Sequence, residues 1–106
     1  MITYSQHEQP AQTLALHYAA QAGDALAQAV YGGQKEVHSR EDALSLTRFF
    51  WAMSDAAAED YRQDTELARQ YDLEFWMEKL MNKTIGYLAG LGYRDLWTEE
   101  SNRINS

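Results

Sequence analysis

Cysteine is absent from these 106 residues. That removes disulfides, thiolate metal sites, iron–sulfur clusters and cysteine nucleophiles together. Proline occurs once, at Pro10, and glycine six times. So few breakers leave long stretches free to be helical. β-Branched residues are few and scattered rather than alternating, so strand signals are thin. Basic residues are also scarce: nine Lys and Arg face sixteen Asp and Glu, a formal charge of −7. A nucleic-acid binder needs the opposite field, so no direct nucleic-acid contact is expected. No apolar run approaches the roughly 20 residues that span a bilayer. The start, Met1 to Glu8, lacks the basic and apolar regions of a secretory signal. No membrane contact and a cytoplasmic location are expected.

What is present is ordinary globular composition, 45% hydrophobic, at a length that suits one domain. The expected fold is all-α, a compact bundle of four to five helices with short connections. Residues 10–106 form its single helical domain, and residues 1–9 a loosely ordered lead. A first helix is predicted from Pro10, which suits a first-turn position, to Gly32-Gly33. Leu14, Tyr18, Ala22, Ala25 and Ala29 mark its buried stripe, widened by Leu26 and Val30. A second helix starts at the cap Ser39, with Glu41 and Asp42 in its first turn. Leu46, Phe50, Met53, Ala57 and Tyr61 form one of its faces. A third is capped by Asp72 and buries Leu73, Met77, Leu80, Thr84 and Leu88. Residues 64–71 read either as a short helix capped by Asp64 or as a continuation of the second. A last helix near 93–103 buries Leu96 or Trp97 and leaves Glu99, Glu100 and Asn102 in water.

Residues 19–32, from Ala19-Ala20-Gln21-Ala22-Gly23-Asp24-Ala25 to Gly32, resemble the first helix of the short tetratricopeptide-like repeats. One copy is present where a solenoid needs at least about three. The resemblance therefore implies an alanine-packed helix and no function.

Catalytic chemistry finds little support. His7, His17 and His38 are the only histidines, and neither His-Glu-x-x-His nor Glu-x-x-His occurs. His38 reads as a loop residue and His17 as a partly buried packing residue. Ser39 lies beside His38, but its cap role explains it, and Gly-x-Ser-x-Gly is absent. Gly86, Gly90 and Gly92 close a helix where a phosphate loop would open one, so they read as close packing followed by a cap. No catalytic residue, metal or cofactor is expected.

Two surface features remain. Residues 55–78 hold eight acids against Arg62 and Arg69, a local balance of −6 that is nearly the whole net charge. Beside them stand Phe49-Phe50-Trp51 and Phe75-Trp76. Three consecutive helical residues sweep about 200°, so Phe49, Phe50 and Trp51 cannot share one core face. Either the second helix is buried on two sides or one ring is exposed. The expected partner-binding residues are Asp55, Glu59, Asp60, Asp64 and Glu66, with Trp51 as an anchor at their margin. The expected function is a non-enzymatic acidic module that covers a basic surface of a partner protein. By analogy of size and charge alone, such a module would serve as an inhibitor, antitoxin or immunity-type protein, a phage-type anti-defence inhibitor included. The alternative is a small helical adaptor, chaperone or regulator acting as a homodimer.

Overall fold

A computed structural model describes residues 2–34 and 37–106. The described chain is all-α, with six helices and no strand. They are α1 (Gln9–Ala22), α2 (Ala25–Tyr31), α3 (Arg40–Arg62), α4 (Glu66–Gln70), α5 (Leu73–Gly90) and α6 (Arg94–Asn105), after a 3-10 turn at Gln6–Glu8.

The count exceeds four to five because the expected first helix is two. Gly23 adopts a left-handed φ of 67°, which a glycine reaches without steric cost. The N–H of Asp24 then bonds back to the Ala19 carbonyl at 3.0 Å. The Asp24 carboxylate accepts from Ala27 N–H at 2.9 Å and starts α2. Gly-Asp is thus a stop followed by a start. The turn re-aims the second half, so beyond Tyr18 the expected stripe is kept only in part, at Val30 and, half-buried, at Leu26 and Ala29. Ala22 and Ala25 are exposed, while Ala27, Val30 and Tyr31 are buried.

The caps expected at Ser39 and Asp72 are present. Ser39 Oγ accepts from Asp42 N–H at 3.1 Å, and the Asp42 carboxylate accepts from His38 N–H at 3.1 Å. Asp72 accepts from Phe75 N–H at 3.2 Å. Residues 66–70 form a separate short helix, but Thr65 caps it, through Ala68 N–H. Asp64 instead takes the left-handed turn that breaks it from α3, at φ 51°.

Helix α3 is central and meets α1, α2, α4, α5 and α6. It buries Leu46, Phe50, Met53 and Ala57 together with Ala43, Thr47 and Phe49. Both faces are therefore covered, which resolves the crowding of Phe49-Phe50-Trp51. Tyr61 leaves the stripe and is 70% exposed. Fifteen residues of helix carry it about 60° around the axis from Leu46. The α5 stripe of Leu73, Met77, Leu80, Thr84 and Leu88 is buried as expected. Its polar member is satisfied: Thr84 donates to Leu80 O at 2.7 Å and accepts from the Tyr31 hydroxyl at 2.8 Å. Gly86 and Gly90 do not serve close packing. They face outward from the stripe, and a Cβ there would meet nothing within 4 Å.

The lead segment is more engaged than expected; Met1 lies outside the described residues. Ile2 is buried in the core. Lys83 of α5 donates to Thr3 O at 2.8 Å, pairs with Glu8 at 3.1 Å and sits 5.1 Å from the Tyr4 ring centre. The Lys83 and Ser5 hydrogen bonds hold the Glu8 carboxyl below its usual pKa.

Candidate functional site

The six residues expected to bind a partner do not share one face. Trp51 turns into the seam between α3 and α6. Its indole N–H donates to Ser101 Oγ at 2.8 Å. Its ring meets Phe50 edge-on and lies tilted against Trp97, at centroid distances of 5.2 and 6.0 Å. It is a structural clasp, not an exposed anchor. Asp60 is half-buried and accepts from the Tyr18 hydroxyl at 2.6 Å, which ties α3 to α1. Burial and this carboxylate push the Tyr18 phenol well above its ordinary pKa.

Asp55, Glu59, Asp64 and Glu66 are exposed. Asp55 and Glu59 lie one turn apart on α3, and Glu59 grips Arg62 and accepts from Gln63 at 2.7 Å. Those bonds lower the Glu59 pKa, the arginine contributing most. Asp64 pairs with Arg69 at 3.2 Å, and Glu66 accepts from Gln70 at 3.3 Å. Further along, Asp72, Glu74 and Glu78 are also exposed, so seven of the eight acids in this stretch reach solvent. The acidity is a surface band wrapping the α3–α4–α5 corner.

A groove of about 380 Å³ opens within that corner, between α3 and α5. Its floor is Ala57, Leu73 and Met77, all buried. Ser54, Ala58 and Tyr61 form one wall, at the i, i+4, i+7 spacing of a single helix face. Arg62 and Glu74 stand at its mouth. Sequence reasoning missed it. The signal was the small residues Ser54 and Ala58, four apart and followed three residues later by Tyr61.

The seam between α3 and α6 is closed. Glu100, expected to be wet, is only 8% exposed. Arg103 and Arg48 grip it together, Arg48 Nε at 3.1 Å. The Arg103 hydrogen bond, then that of Arg48, outweighs burial and holds the Glu100 carboxyl down to about 2. Sequence reading missed this cluster because Arg48 and Glu100 are 52 residues apart.

His7, His17 and His38 are all exposed. His17, expected to be partly buried, packs only an edge against Tyr18, at 5.2 Å between centroids. Among the described residues, no group of three or more His, Asp or Glu could hold a metal ion. No helix among them is long and apolar enough to cross a membrane. Comparison with protein-family models, with curated proteins and with solved structures returns no match to this chain.

Proposed function

We propose that this protein is a non-enzymatic binding module that covers a basic surface of a partner protein, in the manner of an inhibitor, antitoxin or immunity-type protein. The observation that carries this reading is the outward display of the acidic band. Seven exposed acids on one corner, against Arg62 and Arg69, repel one another at a cost to the folded state. A basic partner relieves that cost and is steered toward it. Within the band the working residues are Asp55, Glu59, Asp64 and Glu66, extended by Glu74 and Glu78. Trp51 and Asp60 drop out because they hold α3 to α6 and α1. Tyr61 takes the anchor role that Trp51 cannot fill.

A comparative pull-down tests it. Wild-type protein and the double variant Glu59→Lys/Glu74→Lys are used as bait in extract of the native host, with a salt series and mass spectrometry. The expected result is a basic protein retained by the wild type at low salt. It is lost to the variant and fades as the Debye length falls from about 10 Å at 0.1 M to about 3 Å at 1 M. Retention of the same partner by both baits at every salt concentration would overturn the reading.

A further inference from the structure

We infer that the α3–α5 groove is the seat of an amphipathic, basic helical segment of the partner, which places apolar side chains on the groove floor and Lys or Arg on its rim. This inference rests on the proposed binding function and names where and how the partner docks.

Shape is the first reason. The groove runs between two helices, with small residues, Ser54 and Ala58, along one wall and the buried side chains of Leu73 and Met77 beneath. Small wall residues let another helix approach closely. Apolar side chains at i, i+3, i+4 and i+7 are what an inter-helical groove accepts. Tyr61, 70% exposed at the groove's edge, can close over such a segment. A ring left in water gains by being covered, and tyrosine is among the side chains that most often dominate binding energy.

Charge decides which helix. Glu74 stands at the mouth, and Glu78 follows one turn along α5. Arg62 also lines the mouth, but Glu59 holds it and Asp55 is close enough to stabilise its charge further. Glu74 and Arg62 balance in the lining itself, and Asp55, Glu59 and Glu78 beside it bring the groove's surroundings to −3. A second copy of this chain would bring the same rim against it, with like charges facing across a symmetric contact. An anionic membrane is repelled for the same reason. A Lys- or Arg-rich amphipathic helix satisfies floor and rim together.

The probe is a fluorescently labelled peptide of about four helical turns, with Leu at i, i+3, i+4 and i+7 and Lys or Arg elsewhere. Its control has the same composition with the leucines dispersed around the helix. Anisotropy titration gives affinity, and amide chemical-shift mapping gives location. Expected is preferential binding of the amphipathic peptide, with shifts concentrated at residues 54–62 and 73–78. Ala58→Trp, which fills the groove, and Tyr61→Ala should each weaken binding by about thirtyfold. Both positions are exposed, so both variants should keep the wild-type melting curve. Equal binding of the two peptides overturns the groove assignment. So does unchanged affinity in Ala58→Trp and Tyr61→Ala, or no binding of either peptide at about millimolar concentration. If the pull-down partner is still lost to Glu59→Lys/Glu74→Lys when the groove variants bind normally, the basic-partner reading stands and only the groove falls.

Discussion

Two flanks of the same helix treat the same kinds of residue in opposite ways. Toward α6, α3 contributes Trp51 and Arg48. The ring packs against Phe50 and Trp97, its N–H is taken by Ser101, and the guanidinium shares Glu100 with Arg103. Toward α5, α3 contributes Tyr61 and Arg62. The ring stands mostly in water beside a groove, and the guanidinium meets only surface acids. On the first flank aromatic and charged groups find partners within the chain, and they hold the fold. On the second the ion pair of Arg62 with Glu59 lies at the surface and the Tyr61 ring is left uncovered, so the ring remains available to another molecule. Acid count alone does not separate the two, because Glu100 and Glu59 are both arginine-bound; burial of the surrounding rings does.

The largest expected effect breaks the closed flank. Trp97 is 6% exposed, and Trp97→Ala should cost about 3–5 kcal/mol in urea denaturation. A loss below about 1 kcal/mol would mean that α6 is an appendage and the two flanks are alike. Ser101→Ala comes next. It leaves the Trp51 indole N–H without its acceptor and should cost about 1–2 kcal/mol.

Acid should loosen the same flank. Glu100 titrates near 2 in the folded protein, against an ordinary value of 4.5. The unfolded chain therefore takes up this proton at the higher pH. The stabilisation is present in full above about pH 4.5 and is lost as pH falls toward 2. Urea midpoints followed across that window should fall more steeply for wild type than for Glu100→Gln. Parallel curves would show that the clasp contributes nothing. A shallower decline should persist in the variant, since Glu8 and Glu59 are shifted in the same direction.

The smallest effect belongs to the open flank. Tyr61→Ala should change stability by no more than about 0.5 kcal/mol, because its ring packs against little. A thermal melt that drops as far as that of Ser101→Ala would place Tyr61 among the structural rings and remove the contrast.

Much of the fold was legible in the sequence. Caps and stripes are short-range patterns, decided within one or two helical turns. Ser39 and Asp72 therefore announced α3 and α5, and the stripe from Leu73 to Leu88 was correct at every position. Gly23-Asp24 was equally legible as a cap pair. It was overridden by an alanine-rich periodicity that runs across it without a visible break. Thr65, not Asp64, caps α4 for a reason that lies one step beyond local pattern. The chain needs a left-handed residue to leave α3, and Asp tolerates that conformation better than Thr.

The candidate site was legible only as composition. The −6 of residues 55–78 is written in the chain, and so is the impossibility of burying Phe49, Phe50 and Trp51 on one side. Which ring would be covered depended on α6, some fifty residues away, and on Ser101 lying opposite Trp51. Asp60 left the acidic set because Tyr18, 42 residues earlier, reaches it. Helix geometry links residues three and four apart, and nothing in it says which distant helix will lie alongside. The sequence by itself therefore determined the helices, their ends and the total charge. Only the packing of α1, α5 and α6 around α3 decided which aromatic and acidic side chains hold the protein together and which face outward.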